Sequence, residues 1–273
     1  MKKQLIAFLL LFQITGSAFS QNNFPSPYET KPGRDLGITL AGIAGTGIGL
    51  YLIANKDKLS EAEIAALDKN DVNKFDRFAA GNYNTNAKAL SDIPFYGSFV
   101  VPLALLADKE VFNNGGQVYL LYAQTMAITG AAYALTIGLT DRYRPLAYKN
   151  DDPLNQDLQE DRRSKNARNS FYAGHTAAAA SACFFTAKVF HDFNPDSKWR
   201  PVVWGAAAAV PVVVGYARLK AGKHFLSDNI VGYAVGTSIG ILVPHLHKTG
   251  AMDGVSILPV IGPYNGVAAT VAF

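Results

Sequence analysis

Apolar and polar positions alternate along this chain on the scale of whole helices. Apolar runs cover residues 36–54, 93–107, 118–139, 176–190, 202–217 and 230–246. Several approach the roughly 20 residues that a helix needs to cross a bilayer, and they are rich in the Gly and Ala that let helices pack closely in lipid. The pattern predicts an all-α fold, a six-helix bundle embedded in a membrane. A water-soluble bundle with fully buried helices is the competing reading, because the run at 93–107 is short and Lys188 interrupts its own run.

The polar stretches between the runs organise the rest. Residues 55–92 hold Ser60 and Glu63 at the spacing of a capping box, followed by Ile64, Leu67, Val72, Phe75 and Phe78 as the apolar side of one or two short helices. Lys74, Asp76 and Arg77 then read as a solvated face. Residues 146–169 mix Asp151, Asp152, Asp157, Glu160 and Asp161 with Arg162, Arg163, Lys165 and Arg168. Acids among that many cations do not define a metal shell, and the stretch reads as a lid or binding loop. With a polar loop at every second junction, segments 55–92, 141–174 and 218–228 emerge on one side of the bundle. The tail changes character, since β-branched residues on either side of a Gly- and Pro-containing turn at 262–266 predict a short C-terminal β-hairpin. The chain thus divides into residues 1–20, an N-terminal helix with its amphipathic connection at 21–92, a core at 93–247 and a tail at 248–273.

Composition changes this picture in a few places. Over 273 residues, 49% hydrophobic content with 17% charged residues fits one apolar helical domain with short tails. Met1, Lys2 and Lys3, an apolar stretch at 5–12 and Ala18-Phe19-Ser20 before Gln21 read as a secretory signal peptide over residues 1–20. The formal charge of +4 would fall by two on loss of Lys2 and Lys3, and so small an excess does not support nucleic-acid binding. Cys183 is the single cysteine, which excludes an internal disulfide, and its apolar neighbours predict a buried, inert thiol.

The candidate chemistry sits in three polar junctions. Residues 216–228 place Arg218, His224 and Asp228 in one turn. A histidine becomes a useful nucleophile when a carboxylate fixes its tautomer and nearby cations gather an anionic substrate. Upstream, Arg142, Arg144 and Pro145 close one apolar run, while Gly174 and His175 open the next. Together these segments resemble the type 2 phosphatidic acid phosphatase and vanadium haloperoxidase superfamily, whose signature reads K-x6-R-P, then P-S-G-H, then S-R-x5-H-x3-D. Arg144 and Pro145 match the first block, Gly174 and His175 the second, and Arg218, His224 and Asp228 the third with its internal spacing intact. The resemblance runs from Val118 to His247.

Departures accompany the matches. The lysine of the first block falls on Ile137, the proline and serine of the second on Tyr172 and Ala173, and the serine of the third on Ala217. Lys223 and Arg142 are the nearby cations expected to restore the missing charge. The resemblance implies that His224 attacks phosphorus while Asp228 holds its other ring nitrogen. It implies that His175 serves as acid and then base, and that Arg144, Arg218 and the amides beside Gly174 bind the phosphate. No cofactor and no metal are expected. The implied activity is removal of phosphate from a lipid or other phosphate ester through a phosphohistidine. The alternatives are a soluble acid phosphatase of broad range, a vanadate-dependent haloperoxidase, and a homologue that binds a phosphorylated lipid without turning it over. The expected partners are a phosphate-ester substrate and a membrane, with no nucleic acid. The expected location is the cell envelope, in the inner membrane with the catalytic face toward the periplasm. Cleavage after residue 20 with an inward span at 36–54 would put that face in the cytoplasm instead, in agreement with the Lys and Arg of those loops.

Overall fold

The computed structural model describes residues 25–149, 155–251, 255–260 and 266–271. The signal-peptide reading of residues 1–20, together with Asp151 and Asp152, lies outside the described residues. In chain order the helices are α1 (Pro32–Ala54), α2 (Glu61–Ala66), α3 (Thr85–Val100), α4 (Lys109–Asn113), α5 (Gly115–Leu139), α6 (Gln156–Arg163), α7 (Gly174–Phe193), α8 (Arg200–Lys220) and α9 (Leu226–Leu246). Strands β1 (Val255–Val260) and β2 (Gly266–Val271) run antiparallel with Val255 opposite Val271, and the turn between them lies outside the described residues.

The chain is mostly helical, but the described residues hold nine α-helices where six were expected. The expected count omitted the short polar elements, which local caps define and apolar periodicity does not. Asn155 caps α6 by accepting from the Leu158 amide, and Leu158 is the single aliphatic residue in that helix. Asp108 caps α4 through the amides of Glu110 and Val111. Ser60 and Glu63 form the reciprocal capping box that opens α2.

Helix α7 is the axis of the bundle and packs against α9, α8, α5 and α3. Its small residues explain why: 14 of its 20 residues are buried, many of them alanines that admit neighbouring backbones. The facing side of α9 carries Gly232, Gly236 and Gly240. A β-carbon on Gly236 would lie 2.1 Å from the Ala177 carbonyl oxygen, so glycine alone permits this approach. Helix α1 packs on α5 with Asp35, Thr39, Gly42 and Gly49 inward, while Leu40, Ile48, Leu50 and Tyr51 on the same helix are exposed. Small and polar inside with apolar outside is the arrangement a helix takes when its solvent is lipid. By length and composition, five of the described helical segments could cross a membrane: Pro32–Ala54, Thr85–Ala107, Gly115–Leu139, Arg200–Lys220 and Leu226–Leu246.

The polar junctions meet at one end. The Gly81 amide donates to the Pro145 carbonyl at 2.8 Å, the Asn82 side chain to the Leu219 carbonyl at 3.1 Å, and the Leu146 amide to the Gly222 carbonyl at 3.0 Å. One expectation for residues 55–92 is corrected here: Asp76 is fully buried and not solvated, while Phe75 and Phe78 are exposed.

Candidate active site

The backbone at residues 142–144 lies extended against residues 167–170. The Arg142 amide donates to the Arg168 carbonyl at 3.0 Å, the Arg144 amide to the Ala167 carbonyl at 2.8 Å, and the Ser170 amide back to the Arg142 carbonyl at 3.0 Å. Pro145 then opens a short 3-10 turn at Pro145–Tyr148. On the opposite side, Gly222 has φ of +71°, and a β-carbon there would sit 1.8 Å from the Asn82 carbonyl oxygen. That left-handed turn ends α8 and delivers Lys223 and His224 before α9 starts.

His224 is almost entirely buried, and its Nδ1 lies 2.7 Å from the Ser170 carbonyl oxygen. A carbonyl can only accept, so Nδ1 carries the proton and Nε2 keeps its lone pair. Burial first, and then the charges of Arg144 and Arg218, hold the imidazole well below its usual protonation range. The result is a neutral ring whose Nε2 has no hydrogen-bond partner among the described residues.

Asp228 is placed differently from the expected contact with His224. Its carboxylate accepts the Ser170 hydroxyl at 2.6 Å and the Phe225 amide at 2.8 Å, and it pairs with Arg142. Ser170 therefore stands between the two, with its carbonyl on the histidine and its hydroxyl on the aspartate. Arg142 also reaches Asp76 at 2.7 Å and the Ser227 hydroxyl at 2.9 Å, and its guanidinium lies over the Phe225 ring. Ser227 donates to Asp76 from both its amide and its hydroxyl. Burial raises the Asp76 carboxyl, and hydrogen bonds from Ser227, Asn73 and Arg142 outweigh that and leave it below its ordinary value. Arg142 is thus held by two buried carboxylates.

Arg144 and Arg218 are buried to 9% and 5% exposure, yet neither is clamped by a close carboxylate among the described residues. Arg144 donates from Nε to the Asn169 carbonyl at 3.2 Å. Arg218 approaches the Ser91 hydroxyl at 3.4 Å and Asp92 at 3.8 Å, and its buried Nε has no partner among the described residues. Their charges act on both His175 and His224, which brings four of the expected residues into one cluster. His175, at the start of α7, stacks on the Phe95 ring at 4.0 Å between centroids and places Nε2 3.9 Å from Asp92.

The remaining expected residues occupy other niches. A β-carbon on Gly174 would lie 2.3 Å from the Tyr133 ring, so this glycine makes room for an aromatic side chain that itself lies near Arg144 and Arg218. Lys223 pairs with Asp161 of α6 at 2.7 Å. The two line a polar cleft of about 390 Å³ with Lys88, Asp157 and Glu160. Ile137, Ala173 and Ala217, which replace polar residues of the signature, are all buried. Asp76, Ser91, Asp92, Phe95, Tyr133 and Ser170 were not expected at the site. The role of the Ser170 carbonyl has no sequence signal.

Comparisons with known proteins cover part of the chain that carries this cluster. The model of the PAP2 superfamily matches residues 118–251, a span that includes Arg144, His175, Arg218, His224 and Asp228 and excludes Asp76 and Asp92. Over 79 residues the chain is 33% identical to the lipid A 4'-phosphatase of Porphyromonas gingivalis, a match that covers 29% of this chain and 30% of that protein. No solved structure matches the chain.

Proposed function

Residues 118–251 belong to the PAP2 superfamily, and from that membership we propose that this protein is a membrane phosphatase that removes phosphate from a lipid phosphate ester through a phosphohistidine. One observation carries the reading: two buried guanidiniums converge on a neutral imidazole whose Nδ1 is tied to a carbonyl. Buried positive charge without a clamping carboxylate is costly unless an anion arrives to share the pocket.

In the proposed reaction Nε2 of His224 attacks phosphorus, the N–P bond forms and the bond from phosphorus to the leaving oxygen breaks. His175 gives a proton to that oxygen and then takes one from the water that releases phosphate. Arg144 and Arg218 offset charge on the equatorial oxygens, where planar donors fit a phosphoryl group well. Ser170 holds the reactive tautomer of His224, and Asp228 holds Ser170. Asp228 is therefore a positioning residue that acts through an intermediary.

The exposed apolar faces and five candidate spans favour a substrate that is itself amphiphilic. The relative is named as acting on lipid A, and a phosphate on an envelope glycolipid is the substrate class we favour here. Purified protein in detergent should release phosphate from such a lipid, and His224→Ala should lose at least about 10³-fold of the rate. Equal release from both proteins would instead favour a phospholipid-binding homologue. The catalytic end is proposed to face the periplasm. A periplasm-active reporter fused after Asn150 should then be active, and cytoplasmic reporter activity would reverse the orientation.

A further inference from the structure

Helix α3 lies outside the span matched by the PAP2 superfamily, yet it builds one wall of the candidate site. Three of its residues on a single helical face do so. Phe95 stacks on the His175 ring, Ser91 meets Arg218, and Asp92 puts one carboxylate oxygen 3.9 Å from Nε2 of His175 and 3.8 Å from Nη1 of Arg218. Asp92 is 37% exposed, so it stands at the rim and not in the packed interior. A carboxylate in that position is unusual for a pocket that must admit an anion, because it repels the charge the arginines attract. Its location resolves the conflict. It approaches His175, the residue proposed to give its proton to the leaving oxygen.

We infer that Asp92 sets the leaving-group preference of this site, admitting phosphomonoesters of uncharged alcohols and disfavouring diphosphates, whose leaving group is itself a phosphate. The inference rests on the phosphatase reading with His175 as the acid. In a monoester the group beside Asp92 is a neutral alkyl or sugar oxygen that receives the proton of His175. In a diphosphate the same place holds a second phosphoryl group carrying negative charge. A like charge about 6 Å from a carboxylate in a partly hydrated cleft opposes the reaction by an amount worth roughly tenfold in rate.

The test compares initial rates of phosphate release from farnesyl monophosphate and farnesyl diphosphate, two substrates with the same tail and different leaving groups. Full-length wild type, Asp92→Asn, Asp92→Ala and His224→Ala are measured in the same detergent. The expected result is that wild type prefers the monophosphate and that both Asp92 variants reduce the ratio of kcat/KM values by roughly tenfold. If both substrates change by the same factor in the Asp92 variants, Asp92 merely orients His175 or α3 and the inference is overturned. If wild type releases no more phosphate than His224→Ala from either substrate, the phosphatase reading itself fails and this inference falls with it.

Discussion

Arg142 and Arg144 project from the same extended segment two residues apart, but the first is gripped by Asp76 and Asp228 while the second lies buried with a backbone carbonyl as its hydrogen-bond partner. Around Arg142 every charge is answered: two carboxylates at 0% exposure, a guanidinium, and the hydroxyls of Ser170 and Ser227 close on one another. Around Arg144 and Arg218 no carboxylate among the described residues comes closer than Asp92 at 3.8 Å, and the Arg218 Nε has no hydrogen-bond partner there. The first region therefore fixes the geometry of the loops, and the second is the one proposed to meet the phosphate. Residue type does not distinguish them. The position of Asp76, which comes from a segment 66 residues upstream, does.

The most severe way to break the comparison is Arg142→Ala. Removing it leaves Asp76 and Asp228 buried without their cation, which typically costs about 3–5 kcal/mol. Thermal unfolding in detergent should show a large loss of stability. A small change in stability with a large loss of rate would mean that Arg142 belongs with the ligand-binding pair after all.

Arg144→Ala should do the reverse. Loss of a donor that acts on developing charge costs about 10²–10³-fold in kcat/KM, while stability should hold or rise, because a poorly compensated buried charge is gone. The pH profile sharpens this prediction. Arg144 is one of the charges that keep His224 neutral, so its removal lets the imidazole accept a proton at higher pH. The acidic limb of kcat/KM should move upward in Arg144→Ala. A limb that stays in place would argue that Arg144 does not reach His224. The same depression has a stability consequence: the unfolded chain binds a proton on this histidine below about pH 6.5 and the folded chain does not, so stability declines as pH falls below that value.

The two regions also differ in how far the sequence disclosed them. Long apolar runs marked the α1, α3, α5, α7, α8 and α9 segments, and loop parity placed the polar junctions on one end, because both follow from burying helices whole. The resemblance to the three-block signature gathered Arg144, His175, Arg218, His224 and Asp228, and spacing by itself grouped only the last three. Asp76 was misread as solvated since its local pattern is that of an exposed amphipathic turn, and only the tertiary approach of Arg142 and Ser227 buries it. The Ser170 carbonyl was invisible because every residue has one. Asp92 and Phe95 sit in an apolar helix where nothing local announces a histidine 80 or more residues away. Helix α6 escaped because QDLQEDRR has almost no apolar periodicity.

Lys223 is the finest test of the same contrast, since it neighbours His224 in sequence but is paired with Asp161 in space. If the lysine replaced the cation lost at Ile137, it would have to leave that partner to meet a phosphate. The pair is short at 2.7 Å, and Lys223 is 4% exposed, so its ammonium already has a partner. Asp161 is about one-third exposed and can be hydrated when alone, which limits the loss on breaking the pair to about 1 kcal/mol. Lys223→Ala should therefore lower kcat/KM by less than about threefold, an effect below 1 kcal/mol on the barrier. Adding Asp161→Asn should cause little further loss, because both substitutions remove the same contact. A fall of more than about tenfold, carried in KM for the phosphate ester, would instead place Lys223 with Arg144 and Arg218 as a charge held for the ligand, and α6 would then be the element that releases it.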